Sequence, residues 1–519
     1  MDLRYNKVEN LPYLAWCAEY DFSTSIMTIM HGIRVETQKT FLVEGVWDGD
    51  FTDGAFTETD CFFGSGVRMK KNECYFIPSS STTDYLYYSF TKDKQFCVSN
   101  SLPLHLASIG DELDPQCFDY EKINRSITDG IYDYIEKIPT KLGYVNRLMY
   151  HNLIFDGDKI LLNEKKLPDS FATYASYRSY LGEKYELIYK NVKDKNRESI
   201  IDIFSTQSRG YDSTAVNSIA FLFGIDNVFS IKEAKEPGTF VTYESGQNKI
   251  DDGTEICKIL KTPCTLIKRK AYVDDFSDEY LYYAGMHICE DANLKGINSQ
   301  VKNVTLLLTG NLGEIWYTRK SYYENKIVDI DSSLKRGDLG GHGLGEIRLK
   351  YGFIQLPLPF IGARRRQDIF NITHSEEMNP WRLNNKYDRP IPRRIAEESG
   401  VPREYFGQKK MATVTEFPTP QMPVSKLLRE QYFVYLVENK TLSRIFLYFI
   451  PVIHYVNLRI TFSKPTRFRY VYYAERLLSR IFRNDFKFKP IFRKYNGSLY
   501  CFCVNKRASE YKRVLSNRM

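Results

Sequence analysis

The chain has no C-x-x-C pair, although ten cysteines are spread along its 519 residues. The one close pair, Cys501/Cys503, lacks His or Cys partners at zinc-like spacing, which argues against a zinc ribbon or a thioredoxin-type centre. Free thiols in a reducing compartment are the expectation. Long apolar runs are also missing. The longest, near Ile445–Leu458, is interrupted by Pro451 and His454 and falls short of the roughly 20 residues a spanning helix needs. The opening Met-Asp-Leu-Arg-Tyr-Asn-Lys leads into no apolar h-region, so no secretory signal is read there and a cytoplasmic protein is expected. No internal repeat and no long low-complexity segment occurs.

Positive charge is scarce outside the tail. From Pro420 onward there are 20 Lys/Arg and 5 Asp/Glu, a net of +15, against +8 for the whole chain, so the first 419 residues are net negative at −7. At 43% hydrophobic and 26% charged, the rest is ordinary for a globular protein with sizeable cores. The length is compatible with roughly three domains.

Residues 1–170 read as β-rich: Thr40–Val46, Glu73–Ile77, Tyr85–Phe90 and Gln95–Val98 are short strand-like runs between Asp-Gly and Gly-Ser turns. The last two, joined by Thr-Lys-Asp-Lys, suggest a hairpin. A helical period over Tyr174–Lys190 marks a boundary. From about 195 to 320 the pattern becomes strand–helix alternation. Ile200–Phe204, Asn227–Ile231, Cys264–Ile267 and Val304–Leu308 read as buried parallel strands, with helices at Ser213–Phe223 and Gly253–Leu260. That is an α/β pattern, in which ligands sit beyond the carboxyl ends of the strands. Residues 320–415 look mainly helical with long loops. The Pro-rich Phe417-Pro-Thr-Pro-Gln-Met-Pro423 separates them from the basic tail. The division is therefore 1–170, 171–416 and 417–519.

After the first parallel strand comes Ser205-Thr-Gln-Ser208-Arg-Gly210-Tyr-Asp212-Ser213-Thr214, opening a helix. A strand, a small polar turn and a helix start form an anion site, because free N–H groups and the helix dipole point to one place. Gly210 lets backbone approach a phosphate, the hydroxyls of Ser208, Ser213 and Thr214 add donors, and Asp212 suits a magnesium ion. The alternative is an ordinary capped helix after a buried strand. The segment is not the G-x-x-x-x-G-K-[ST] loop. It resembles the S-G-G-x-D-S loop of the PP-loop ATP-pyrophosphatases, the asparagine synthetases in particular, with Arg209 standing where that pattern has its first glycine.

Other segments carry the same resemblance. Phe229-Ser230-Ile231-Lys232 looks like the stretch whose backbone contacts adenine in the synthetases. Thr309-Gly310-Asn311-Leu312-Gly313-Glu314 is similar, without gaps, to the family's S-G-E-G-S-D turn. Thr309 and Gly310 then fall at the nucleotide. Glu314 matches the second magnesium-binding acid, and Asn311 falls on a catalytic position where it cannot act as a base. Asp388-Arg-Pro-Ile-Pro-Arg-Arg-Ile-Ala-Glu-Glu-Ser-Gly-Val-Pro-Arg403 leads to Phe406-Gly-Gln-Lys409-Lys410. It looks like the late segment whose lysine contacts the intermediate, with Lys409 preferred and Lys410 the alternative.

The resemblance implies three parts. An N-terminal α+β domain would be like the Ntn-hydrolase glutaminase domain of the family. A parallel-sheet PP-loop domain of the adenine nucleotide α-hydrolase type follows, then a basic extension. Tyr88–Ser101 resembles the glutaminase part that displays a hairpin before its final strands. That domain's nucleophile is an N-terminal cysteine. Here Met1 precedes Asp2 and the first cysteine is Cys17, so glutamine hydrolysis is not expected and the domain reads as a degenerate remnant. The implied function is an ATP- and Mg2+-dependent, AMP-forming carbon–nitrogen ligase that joins a carboxylate to an amine. Polysaccharide or other surface-glycan biosynthesis is the suggested setting. Two other readings stay open: a PP-loop RNA-modifying enzyme and a non-catalytic nucleotide-binding module. For the tail, Arg467–Arg483 reads as a helix on an anionic membrane face (here the inner one), as an RNA-binding segment, or as part of a small basic domain packed on the core. Nucleic acid is the less favoured partner, and the oligomeric state is not read from the sequence.

Overall fold

The computed structural model describes residues 1–90, 95–234, 249–316, 332–385, 387–408, 422–449, 469–483 and 494–516. The N-terminal region holds two sheets. One has seven strands running in space from Asp2–Lys7 to Lys137–Pro139. The other has six, from Ile160–Asn163 to Glu36–Thr37. Period-two alternation makes each strand two-faced. In Trp16–Asp21, Trp16, Ala18 and Tyr20 enter the core between the sheets, where Phe76, Phe96 and Phe155 meet them. Cys17 points to the opposite face, into the main core of the molecule. The expected hairpin is present, with Leu86–Phe90 paired antiparallel to Phe96–Ser99.

The helix Tyr174–Val192 begins in a capping box formed by Thr173 and Ser176. Its buried Tyr177, Leu181, Tyr185 and Ile188 recur at three- and four-residue spacing, one stripe of a helix. Burying an aliphatic side chain such as Leu181 stabilises by roughly 1.5–3 kcal/mol.

Five parallel strands follow. Their spatial order is Cys264–Ile267, Asn227–Ile231, Ile201–Gln207, Val304–Thr309 and Phe353–Pro357. Every residue of Val304–Thr309 is buried, as expected of a strand covered on both faces. The stretch after residue 320 is mainly helical in its described residues, as expected, and the fifth strand is an addition to it. Phe353-Ile-Gln-Leu-Pro357 is a short, wholly buried run behind Gly352, whose φ of +88° ends the preceding helix.

The two regions are stapled by charge. Arg348, in the helix Gly345–Tyr351, reaches into the N-terminal region and meets Glu44 at 2.8 Å and Asp84 at 2.6 Å. The basic tail does not stand apart along its whole length. Its last helix, Lys494–Ser516, buries Leu499, Cys503, Val504 and Tyr511 and packs on the helices Leu102–Ser108 and Glu279–Gly285. None of the described helices is long and apolar enough to cross a membrane.

Candidate nucleotide site

In chain order the parallel strands lie 3-2-1-4-5. The winding therefore reverses between Ile201–Gln207 and Val304–Thr309, and a crevice opens at such a switch point beyond the strand ends. Both loops singled out in the sequence leave the sheet there. Between them lies a cavity of about 140 Å³ lined by Ser208, Ser213, Ile231, Thr309, Gly310 and Asn311, among others. Six of the expected residues thus share one cavity.

The Ser208–Gly210 turn is organised from within. Ser208 Oγ accepts the Gly210 N–H at 3.0 Å, and Ser213 Oγ accepts the Ser208 N–H at 3.1 Å. The two hydroxyls stand 2.9 Å apart. Gly210 is the N-cap of the helix Tyr211–Ala220 in an ordinary extended conformation. The need for glycine there comes from Ser208 Oγ, 3.0 Å from where a side chain would begin.

Other expected residues play structural parts. Thr214 is fully buried and donates its hydroxyl to Gly210 O at 2.7 Å, a back-bond that braces the turn from behind. Ser230 is fully buried, its Oγ accepting the Gly253 N–H. Arg209 faces outward: its N–H bonds Asp251 and its Nε donates to Tyr405 O, while Gly407 N–H bonds the Arg209 carbonyl. Thus the Phe406–Gly407 turn is seated on the Ser208–Gly210 turn, but Lys409 and Lys410 lie outside the described residues.

The turn after Val304–Thr309 keeps a glycine-like backbone without the glycine. Leu312 has a φ of +66°, and it occupies the position where the S-G-E-G-S-D pattern has its second glycine. A non-glycine residue held there costs on the order of 1–3 kcal/mol, so the surrounding structure imposes the conformation.

Four lining residues were missed in the sequence, Leu294 among them. Asp291 and Asn293 come from the irregular turn Glu290–Leu294, and Gly340 from a distant loop. Both Asp291 oxygens accept backbone N–H groups, from Gly341 at 2.9 Å and Gly343 at 2.8 Å, and burial pushes its carboxyl up to about 6. Neither periodicity nor spacing could have placed these residues at the strand ends. Two lining atoms are orphaned: Thr309 Oγ1 and Asn293 Oδ1 are buried without a hydrogen-bond partner. Other buried polar atoms of the structure also lack a protein partner, but these two border the same cavity.

A divalent ion does not fit the acids expected to hold one. Both oxygens of Asp212 accept from Arg389 Nη1, at 2.6 and 2.5 Å. Glu314 Oε1 instead accepts the Gly337 N–H at 3.2 Å. Among the described residues, the single group of three acid, thiol or imidazole ligand atoms close enough to share an ion is Cys17, Glu19 and Cys97, in the N-terminal region. There Cys17 is fully buried with its sulfur 3.4 Å from that of Cys97, which is no setting for a nucleophile open to substrate.

No family model matches the chain, and no curated protein matches its sequence.

Proposed function

We propose that the chain binds ATP in this cavity and uses it to adenylate a carboxylate, which an amine then captures as an amide with release of AMP. The observation that carries the proposal is the pair of orphaned atoms at the switch-point cavity, beside a hydroxyl-lined loop at a helix N-terminus. Thr309 Oγ1 and Asn293 Oδ1 await polar partners, Phe229 and Ile231 offer apolar walls for a base, and Ser208 with Ser213 provides hydroxyls at the helix start. The left-handed Leu312 supports the resemblance to the asparagine synthetase turn on backbone grounds. Asn311 lines the cavity but cannot take a proton, so the amine would arrive unprotonated or lose its proton to another group. The substrates that suit this reading are a small or glycan-linked carboxylate and an amine. Contact with an anionic membrane face through the basic tail belongs to the same proposal.

The test is release of pyrophosphate and AMP from ATP with pooled carboxylates and amines. ADP in place of AMP would defeat the adenylation. The S208A/S213A variant should weaken ATP binding by about tenfold, as loss of two anion-facing hydroxyls implies. One observation favours a second reading, a nucleotide-binding module without catalysis: Asp212 is engaged by Arg389. ATP binding with no product from any substrate pool would select it.

A further inference from the structure

We infer that the phosphate loop takes a polyphosphate without a divalent ion on Asp212, because Arg389 is the built-in cation of that carboxylate. The inference rests on the ATP reading above and concerns how the site is charged.

Two features hold Asp212 in this state, and a third concerns the other acid expected at the site. First, Arg389 is fixed. It is the N-cap residue of the helix Pro390–Glu398, which packs on the loop's own helix Tyr211–Ala220. The guanidinium carbon lies 5.1 Å from the Tyr387 ring centre, and its side chain is only 3% exposed. One turn on, Arg393 donates to the Tyr211 hydroxyl, clamping the two helices together. Second, Asp212 has no room to turn. A side chain at Gly310 would start 2.9 Å from Asp212 Cβ, and one at Gly313 would start 2.1 Å from Asp212 Cγ. The two glycines of the neighbouring turn exist as a slot for this carboxylate, and Asp212 is not among the residues that line the cavity. Third, the other expected acid, Glu314, accepts a backbone N–H.

Magnesium binds through one or two carboxylates in near-octahedral geometry and keeps several waters. A carboxylate with both oxygens on one guanidinium nitrogen, wedged between two glycine backbones, does not offer that. With its charge already offset, Asp212 neither recruits a cation nor repels an incoming phosphate. The anion then meets the Ser208 and Ser213 hydroxyls and the helix N-terminus.

The experiment is isothermal titration of the full chain with ATP, once in excess EDTA and once in excess MgCl2. The wild type should bind with affinities within about threefold in the two conditions. R389M exposes an unpaired carboxylate at the phosphate position, so ATP affinity in EDTA should fall by about tenfold or more and recover with Mg2+. The double variant R389M/D212N removes both charges and should regain EDTA binding. Thermal unfolding of all three proteins separates a binding effect from misfolding, and the double variant keeps the test sharp if R389M alone is unstable. Wild-type binding that requires Mg2+, or an R389M/D212N variant no better than R389M, overturns the inference while leaving ATP as ligand. Absence of ATP binding in both conditions overturns the ATP reading as well.

Discussion

Arg348 and Arg389 both bring a buried guanidinium to carboxylates, and the two settings differ in who else can reach them. Arg348, Glu44 and Asp84 have side chains 2%, 0% and 3% exposed, sealed between the N-terminal sheets and the helix Gly345–Tyr351. Burial pushes the Glu44 carboxyl up, and Arg348 offsets part of that rise by its charge and hydrogen bonds. At the Ser208–Gly210 turn Arg389 is equally buried, but Asp212 is 21% exposed, and the turn's Ser208 borders an open cavity. The first cluster fixes how two regions of chain meet. The second fixes the electrostatics of a place a ligand can enter.

The largest effect should come from breaking the sealed cluster. R348M leaves Glu44 and Asp84 without a cation, and stranding buried charge costs about 3–5 kcal/mol. A lowered denaturation midpoint, or loss of soluble protein, is the expected result. A midpoint within experimental error of wild type would show that the staple carries no weight. Next comes the slot that holds Asp212. G313A puts a methyl where Asp212 Cγ now lies, an overpacking that costs about 1–3 kcal/mol and displaces the carboxylate from Arg389. ATP affinity should fall with stability, whereas R348M that still folds should keep its ATP affinity.

Proton linkage gives the two regions opposite slopes. In the N-terminal region His105 is fully buried against Ser89, and burial holds its imidazole down at about 3. Unfolding releases it to an ordinary value near 6.5. The unfolded chain then binds more protons, so stability falls as pH drops from 6.5 toward about 3, on the order of 5 kcal/mol in full. At the cavity Asp291 is raised to about 6 from 3.8. Here the folded chain holds the proton more tightly, so stability falls as pH rises from about 4 to 6 and is level above, on the order of 3 kcal/mol. Replacing His105 by Gln should flatten the acid limb of a stability–pH curve, and replacing Asp291 by Asn should steepen it. The same change of slope in both variants would break the assignment.

The strands and the turn that frame this contrast were legible in the sequence; the ion pairs were not. Asn227–Ile231 and Cys264–Ile267 read as strands because short apolar runs sat between turn signals, and the phosphate-loop turn read as strand, polar turn and helix start. Phe353–Pro357 was missed because a strand buried on both faces has no alternation to betray it. The pairing of Asp212 with Arg389 spans 177 residues, and no local pattern encodes a contact of that range. Asp291 and Asn293 lie in an irregular turn, where polarity has no period. The final helix was read through its charge, yet its buried face of Leu499, Cys503 and Tyr511 decides where it packs.

The smallest effect on stability belongs to a helix of the tail that leaves apolar groups in solvent. In the helix Arg469–Phe482, Leu477 and Ile481 are 58% and 61% exposed. A four-residue spacing puts them on one face, and Arg476 and Arg480 are exposed beside them. Exposed side chains that pack on nothing change stability by within about 0.5 kcal/mol when replaced. The L477D/I481D variant should therefore unfold at the wild-type midpoint, in contrast to R348M. If this face meets an anionic membrane, wild-type chain should sediment with phosphatidylglycerol vesicles at low salt and not with phosphatidylcholine, and the double variant should stay in solution. A midpoint lowered by more than about 1 kcal/mol would instead mean that Leu477 and Ile481 are packed in the folded chain. The tail would then be a second sealed region like that around Arg348, not a surface free to receive a partner.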